Sequence, residues 1–251
     1  MKAMILAAGL GTRLRPLTDD RPKALVEING RTLLEITLSR LRTYGIRDVI
    51  INVHHFADMI VEHLKTNDNF GMRIEVSREE ELLDTGGGLK KAAWFFKDSR
   101  GHSGKETPFI LHNVDVLSTI DLERMRQLHF ETQALATLAV QDRETSRYLV
   151  FDERRQLCGR RAGRDQPPEL VRPAQQAQAW AFCGIHVISP RLLAMMAEEG
   201  TFSIITSYLR LAAQGEKILA FRADEYYWRD LGTPEGVAQA AKDLEQKVIA
   251  Q

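Results

Sequence analysis

The opening segment of the chain limits its possible folds more than any other. Residues Ala3 to Ala8 form a continuous apolar run that ends at Gly9. Such runs are typical of strands buried on both faces of a parallel sheet. The next stretch, as far as Lys23, is rich in Gly, Pro, Thr and charged residues. It predicts a long loop, and a long loop in a compact domain usually carries function.

The first half of the chain then alternates between strand-like and helix-like patterns. The predicted strands are residues 49–53, 73–76, 108–113 and 134–140, and the predicted helices are residues 32–45, 57–64, 86–96 and 122–129. This alternation indicates an α/β fold with a mainly parallel central sheet and helices on both of its faces.

The second half has a different texture. It predicts strands at residues 148–151, 157–159, 181–188, 218–222 and 226–228, a polar loop at 163–178, and helices at 190–197, 204–213 and 234–248. The sequence shows neither an internal repeat nor a linker. We therefore expect residues 1–251 to form one domain, with residues up to about 140 and from about 141 onward as its two halves.

Composition excludes several classes of protein. Lys plus Arg and Asp plus Glu both number 34, so the chain lacks the basic excess of a nucleic-acid binder. The apolar run at the N-terminus is too short for a transmembrane helix or a typical signal peptide. Cys158 and Cys183 have no metal-binding spacing. We expect a cytoplasmic protein with reduced thiols, in which Cys183 is a small buried residue.

Glycines directly after the first strand point to a phosphate ligand. Gly9 and Gly11 let backbone N–H groups approach a phosphate closely, and the cations Arg13 and Lys23 suit its oxygens. A dinucleotide-binding fingerprint requires a third glycine, where Leu14 stands, and an acid after the second strand. A Walker loop requires Gly-Lys-Ser/Thr, which is also missing. Two glycines alone are equally typical of an ordinary loop.

The longer string distinguishes these possibilities. Residues 7–18 read Ala-Ala-Gly-Leu-Gly-Thr-Arg-Leu-Arg-Pro-Leu-Thr, and residues 22–25 read Pro-Lys-Ala-Leu. This string resembles the signature of the sugar-phosphate nucleotidyltransferases. The resemblance covers most of the chain and is strongest to the N-acetylmuramate 1-phosphate uridylyltransferase-like and mannose 1-phosphate guanylyltransferase-like enzymes. It implies a Rossmann-like three-layer α/β/α sandwich, dependence on Mg²⁺, and phosphate contacts from Arg13 and Lys23.

The resemblance also assigns residues to the nucleotide. Gly86, Gly87 and Gly88 open a predicted helix where the family places a glycine against base and ribose. Asp115 follows a predicted buried strand and resembles the family's metal-binding aspartate, although Val114 replaces its usual glycine neighbour. The catalytic residues implied are Arg13, Lys23 and Asp115. The nucleotide-binding residues implied are Ala7, Ala8, Gly9, Gly11, Thr12, Arg13, Lys23, Gly87, Gly88 and Asn113.

A later segment, residues 227–234, resembles the family's Trp-x-Asp-x-Gly-Thr-Pro motif and makes Asp230 the second metal carboxylate beside Asp115. One departure concerns the sugar phosphate, because many members bind it with a lysine that this chain lacks. Arg147, Arg160 and Arg161 are candidates to replace it, and a solvated basic surface explains them equally well. The predicted sugar-phosphate residues are Asn113, Arg147, Arg160, Gly184 and Asp230.

The resemblance implies an enzyme that transfers a nucleoside monophosphate from a nucleoside triphosphate to a sugar 1-phosphate and releases pyrophosphate. UTP with N-acetylmuramate 1-phosphate, or a similar sugar 1-phosphate, is the preferred pair. The alternatives are a GTP-dependent mannose or heptose 1-phosphate guanylyltransferase and a catalytically silent nucleotide-sugar sensor. We expect no nucleic-acid or membrane partner, and a monomer or small homo-oligomer.

Overall fold

The computed structural model describes residues 1–97 and 107–246. The helices within these ranges are α1 (Leu33–Thr43), α2 (Ala57–Thr66), α3 (Asp84–Lys91), α4 (Leu122–Thr132), α5 (Arg191–Met195), α6 (Ile204–Ala213) and α7 (Pro234–Glu245). The strands are β1 (Lys2–Leu6), β2 (Glu27–Ile28), β3 (Arg31–Thr32), β4 (Asp48–Val53), β5 (Arg73–Arg78), β6 (Phe109–Asn113), β7 (Val116–Ser118), β8 (Ala136–Gln141), β9 (Arg147–Phe151), β10 (Leu157–Ala162), β11 (Glu169–Leu170), β12 (Gln178–Ile188), β13 (Ile218–Arg222) and β14 (Trp228–Asp230). None of the helices so described has the length and apolarity needed to span a membrane.

One large sheet organises the fold. Its strands follow the order β11-β10-β9-β12-β6-β1-β4-β5. In addition, β8 pairs with β12, and β13 pairs with β8. The neighbours β6, β1, β4 and β5 are parallel, whereas β12 runs antiparallel to β6. The predicted α/β class with a mainly parallel central region is therefore confirmed.

Two apolar cores lie on opposite faces of this sheet. Ala3 and Ile5 belong to one core, whereas Met4 and Leu6 belong to the other. Such alternation follows from the two-residue period of a strand, and it explains why β1 is apolar throughout. Helices α1, α2, α4 and α7 cover the first face, and α3, α5 and α6 cover the second. The three-layer arrangement predicted from the sequence is confirmed.

Short polar side chains mark where several helices begin. The hydroxyl of Thr32 accepts a hydrogen bond from the backbone N–H of Glu35 at 3.1 Å, and Asp121, Ser203 and Thr233 cap α4, α6 and α7 in the same way. Each cap satisfies a backbone donor that has no partner inside its helix. This is why the predicted start of α1 lies within one residue of the observed start.

Several predicted boundaries were wrong for identifiable reasons. The helix predicted over 86–96 is α3 followed by a separate 3₁₀ turn at Ala93–Phe96. The strand predicted at residues 226–228 is observed two residues later, as β14 at Trp228–Asp230. The predicted polar loop at 163–178 contains the short strand β11. Two- and three-residue strands are too short to show a period in the sequence. The last predicted helix is confirmed to residue 245, and its end at Val248 lies outside the described residues.

Both cysteines are free and fully buried, as expected for reduced thiols. Burial raises the pKa of Cys183 to about 12 and that of Cys158 to about 11. Neither thiol is therefore ionised to a reactive thiolate near neutral pH, because the thiolate is the nucleophilic form.

A buried histidine makes stability sensitive to acid. The Nδ1 atom of His186 lies 2.8 Å from the hydroxyl of Tyr208, and burial lowers the pKa of His186 to about 3. Unfolding returns the imidazole to a pKa of about 6.5, so below that pH the unfolded state binds a proton that the folded state does not. The contribution of His186 to the free energy of unfolding is therefore fully present above pH 6.5 and is lost as the pH falls toward 3. We expect His186→Gln to reduce this slope by about 1.4 kcal/mol per pH unit between pH 6 and 4, measured by urea denaturation. An unchanged slope would contradict this assignment.

Candidate active site

The carboxyl ends of three parallel strands converge at one edge of the sheet. Leu6, the last residue of β1, pairs in register with Asn52 of β4 on one side and Asn113 of β6 on the other. Ligands of open α/β sheets bind outside this edge. The amide side chains of Asn52 and Asn113 therefore flank the start of the glycine loop.

The glycine loop folds tightly over a lysine. Gly11 has a φ of 68°, in the left-handed region that glycine tolerates best. A Cβ atom at Gly11 would lie 3.0 Å from the methyl group of Thr18 and 3.2 Å from the Cβ of Lys23, and one at Gly9 would lie 3.2 Å from Lys23 Nζ. A side chain at Gly9 would therefore require the tip of Lys23 to shift, whereas Gly11 is needed for this close approach. Thr18 reinforces it, because its hydroxyl donates to the Gly11 carbonyl at 2.8 Å.

Lys23 forms an ion pair with Asp115. Its Nζ lies 2.8 Å from Asp115 Oδ2, and the two side chains are only 15% and 14% exposed. Burial alone would raise the pKa of the Asp115 carboxyl, but the charge and hydrogen bond of Lys23 outweigh burial and hold that pKa below its usual value. Asp115 is thus an anion in the folded protein.

A second cation and carboxylate lie beside the first pair. The 3₁₀ turn Thr12–Leu14 anchors itself through buried Leu14 and presents exposed Arg13, whose guanidinium lies 3.9 Å from Asp230. The antiparallel pairing of β7 with β14 brings Asp230 opposite Val116, the residue after Asp115. Gly232 keeps the corner open, because a Cβ there would lie 2.6 Å from the Arg13 guanidinium and 2.7 Å from Asp230. Thr12 is exposed on the same turn.

Two cavities meet at Asn113 and Asp115. The smaller encloses about 320 Å³ and is lined by Ala8, Gly9 and Lys23 together with Asn52 of β4 and residues that follow β5. The larger encloses about 680 Å³ and is lined by Arg13, Asp230 and residues of β9, β10 and β12. Both linings include Asn113 and Asp115, so a group transferred from one cavity to the other would pass Asp115.

The smaller cavity contains a polar network that sequence reasoning missed. The Asn52 side chain accepts from the backbone N–H of Ala7 at 2.8 Å and donates to Glu79 at 2.7 Å. The other oxygen of Glu79 accepts from the backbone N–H of Leu83 at 3.0 Å. This network joins the ends of β1 and β4 to the start of α3. An asparagine and a glutamate alone carry no sequence signal for such a role.

The glycines of α3 pack against protein atoms. A Cβ on Gly88 would lie 2.7 Å from both Asn52 and Glu79, and one on Gly87 would lie 2.5 Å from the carbonyl oxygen of Gly200. The lining of the smaller cavity at this end comes from Asp84 and Thr85. The structure thus shows close packing as one reason for these glycines, and their contact with a nucleotide stays a prediction.

Five arginines line the larger cavity: Arg13, Arg143, Arg147, Arg160 and Arg161. Arg160 forms an ion pair with Glu169 at 2.7 Å, and Arg147 is exposed at the start of β9. The sequence analysis did not single out Arg143, which lies in the turn between β8 and β9 and stacks 3.7 Å above Trp228. No motif signals this residue, because its ring partner lies 85 positions away in the chain.

Gly184 lines the larger cavity beside Asn113. It has a φ of 71° within β12, where the pairing of β12 with β8 shifts register between Phe182 and His186. A Cβ at this position would lie 2.9 Å from the Asn113 amide. A glycine is therefore needed for the strand to bulge and leave room for Asn113, whichever ligand binds here.

The carboxylates suit a hard cation. Within the described parts of the chain, no group of three or more His, Cys, Asp or Glu side chains is arranged to hold a metal. Mg²⁺ needs no such cage, because it binds one or two carboxylates and keeps water or phosphate oxygens as its other ligands. Asp115 and Asp230, which line one cavity, supply that donor set.

Comparison with known proteins agrees with this architecture. The sequence profile described as nucleotidyl transferase matches residues 2–247. The N-acetylmuramate alpha-1-phosphate uridylyltransferase of Caulobacter vibrioides is 33% identical over an alignment of 257 positions that covers 96% of each protein. A mannose-1-phosphate guanyltransferase of Yarrowia lipolytica is 30% identical over 238 residues, which cover 94% of this chain but 61% of that longer protein.

The solved structure of HddC from Yersinia pseudotuberculosis shares the fold, with a TM-score of 0.77 at 22% identity over 97% of this chain and 99% of that one. At that identity the likeness concerns the fold alone. The profile and the two curated relatives extend over nearly the whole sequence. The chain therefore belongs to the nucleotidyl transferase family, as a sugar-phosphate nucleotidyltransferase.

Proposed function

We propose that this chain transfers a nucleoside monophosphate from a nucleoside triphosphate to a sugar 1-phosphate, giving a nucleotide sugar and pyrophosphate. The observation that carries the proposal is the Lys23–Asp115 ion pair, at 2.8 Å, where the two cavities meet. A nucleotide in the smaller cavity and a sugar 1-phosphate in the larger would bring their phosphates together there.

The division of the cavities supports two halves of one domain. Apart from Thr201, the smaller cavity is lined by residues 6–115, so we assign residues up to about 140 to the nucleotide. The larger cavity is lined mostly by residues 143–230, so we assign residues from about 141 to the sugar phosphate. Asn113 borders both and would contact both substrates.

The reaction needs positioning and charge neutralisation more than proton transfer. A phosphate monoester has its second pKa near 6, so the sugar 1-phosphate is largely a dianion at neutral pH. One of its oxygens attacks the α-phosphorus in line and forms a new P–O bond. The bond between the α-phosphorus and the oxygen that bridges it to the β-phosphorus breaks, and that oxygen keeps the electron pair. Pyrophosphate leaves as an anion. We assign Arg13 to the β- and γ-phosphates and Lys23 to the charge that develops as this bond breaks.

Asp115 and Asp230 would hold Mg²⁺ between the two substrates, and the backbone of Gly9 and Gly11 would face the triphosphate. When bound, Mg²⁺ neutralises part of the charge on the phosphates that must approach each other. Lys23, at 2.8 Å, keeps the Asp115 carboxylate ionised. Asp230 lies 3.9 Å from Arg13 and lines the same cavity as Asp115.

The best pair of substrates is UTP with N-acetylmuramate 1-phosphate or a similar sugar 1-phosphate. Its support is the identity of 33% to the Caulobacter enzyme across 96% of both chains. A GTP-dependent mannose or heptose 1-phosphate guanylyltransferase is the second candidate, favoured by the identity of 30% to the Yarrowia protein. The two candidate pairs differ in the base of the nucleotide and in the sugar, and both undergo the same nucleotidyl transfer.

Pyrophosphate release tests the proposal directly. The purified protein is mixed with Mg²⁺ and each of UTP, dTTP, GTP, CTP and ATP, paired in turn with N-acetylmuramate, mannose, heptose and glucose 1-phosphates. We expect release with UTP and N-acetylmuramate 1-phosphate, abolished by EDTA and restored by Mg²⁺. Release only with GTP and mannose or heptose 1-phosphate would select the second candidate. Silence with every pair, from folded protein that binds a nucleotide in calorimetry, would overturn the proposal in favour of a nucleotide-sugar sensor.

A further inference from the structure

Two arginines of the larger cavity are held against aromatic rings. The guanidinium of Arg143 lies 3.7 Å from the centroid of the Trp228 ring, and that of Arg161 lies 5.1 Å from the centroid of Tyr148. Each has further support: Arg143 donates to the Phe182 carbonyl at 2.8 Å, and Arg161 is the direct cross-strand partner of Tyr148. A guanidinium fixed in this way loses little freedom when it binds a ligand.

Neither arginine has a carboxylate partner among the residues that the structure describes. Arg13 pairs with Asp230 and Arg160 with Glu169, whereas Arg143 and Arg161 form no ion pair with any residue in 1–97 or 107–246. The Nε–H groups of both are buried and find no hydrogen-bond partner in the described part of the chain. Arginine keeps its proton in proteins, and a desolvated charge without an anion is costly. An anionic group of a substrate can therefore pair with each of these two guanidinium groups.

The two arginines are held by different strands around the cavity. Trp228, which supports Arg143, belongs to the same short strand as Asp230 and so lies beside the proposed phosphate site. Arg161 lies on β10, three strands from β6 in the order β10-β9-β12-β6. Strands are about 4.8 Å apart, so β10 runs roughly 14 Å from β6, which leads to Asp115. Arg143 donates to Phe182 on β12, two strands from β10, so roughly 10 Å separates the strands that hold the two arginines, and a sugar ring fits between them.

We propose that the sugar 1-phosphate used by this protein carries a second acidic group, which Arg161 binds against Tyr148 while Arg143 binds the phosphate against Trp228. The inference rests on the proposed function and narrows its substrate class to acidic sugars. It also identifies the cation that replaces the lysine missing from this chain. Arg160 is less suited to that role, because it lies on β10 beside Arg161, roughly 14 Å from β6.

A matched pair of substrates isolates the second acidic group. N-Acetylmuramate 1-phosphate and N-acetylglucosamine 1-phosphate differ only in the lactyl ether that carries the carboxylate. With the preferred nucleotide, we expect kcat/KM to favour the acidic sugar roughly tenfold or more, as expected for a charge-assisted hydrogen bond. Arg161→Gln should bring this preference to within about twofold by slowing only the acidic sugar. Arg161→Lys, which keeps the charge, should retain part of it.

The phosphate cation gives a different pattern. Arg143→Gln should raise KM roughly tenfold or more for both sugars alike and leave KM for the nucleotide unchanged, because only the sugar phosphate loses its contact. Arg222→Gln is the matched control, since Arg222 also stacks on a ring, 4.4 Å from Trp180, but lines neither cavity. It should match the wild type with both sugars, and thermal unfolding should show that all variants are folded.

Several outcomes would overturn this inference while leaving the proposed function intact. These are equal use of the two sugars by the wild type, turnover of neutral sugars alone, or an Arg161→Gln variant that slows both sugars equally and so shows a contact with shared atoms. Absence of pyrophosphate release with every nucleotide and sugar would instead remove the proposed function itself.

Discussion

Replacing Asp115 by asparagine should reduce turnover at least about 10²- to 10³-fold while leaving the protein folded. The substitution keeps the shape of the side chain and removes its charge. Asp115 is held as an anion by Lys23 at 2.8 Å and lies where the two cavities meet. Loss of one preorganised electrostatic contact to a transition state costs this much in other enzymes. Pyrophosphate release with the preferred pair of substrates, at saturating concentrations and across a range of Mg²⁺, measures the effect.

A matched aspartate controls for the change of charge. Asp48 forms an ion pair with Arg73 at the opposite, amino-terminal end of β4. Asp48→Asn should retain wild-type turnover, because no residue of that pair lines either cavity. Turnover of Asp115→Asn within tenfold of the wild type would remove this carboxylate from the mechanism and, with it, the proposed place of metal binding.

The sequence predicted the layers of the fold because that information is local. The apolar run of β1 reports burial on both faces, and Thr32 before α1 reports a helix start. The positions of Gly11 and Lys23 in a recognisable string likewise predicted a loop after β1 that folds over Lys23, and its binding of phosphate stays a prediction. These features need only neighbouring residues to be interpreted.

The rest of the site depends on contacts between distant segments. Asn52 contacts Glu79 because β4 and β5 end at the same edge of the sheet. Arg143 stacks on Trp228, a residue of β14, which pairs with β7. Arg160 was predicted to bind the sugar phosphate, yet its partner Glu169 lies on β11, a strand of two residues that no pattern reveals. Stacking and ion pairing across strands therefore had to be observed, and they changed which arginine we assign to the sugar phosphate.

Variants of the Lys23–Asp115 pair should change the stability of the protein and its turnover independently. Lys23→Met leaves the Asp115 carboxylate nearly buried without its cation, and we expect a loss of about 2–3 kcal/mol, below the cost for a fully buried pair because both groups face a cavity. The double variant Lys23→Met, Asp115→Asn should recover most of that loss, since no charge remains uncompensated. Both should lack turnover, because each removes a group assigned to the reaction. Urea denaturation and pyrophosphate release measure the two properties independently.

Acid should distinguish this explanation from a simple loss of packing. In the wild type, Lys23 lowers the pKa of Asp115, so the pair stabilises the fold above the carboxyl's ordinary pKa and that stabilisation is lost as the pH falls. In Lys23→Met the cation is gone and burial raises the pKa of Asp115, so protonation of the folded state relieves the unpaired charge. The stability difference between wild type and Lys23→Met should therefore shrink as the pH falls from 7 to 4. A difference independent of pH, or one that persists in the double variant, would mean that Lys23 stabilises the fold through packing of its aliphatic chain and that its charge is free for the phosphates alone.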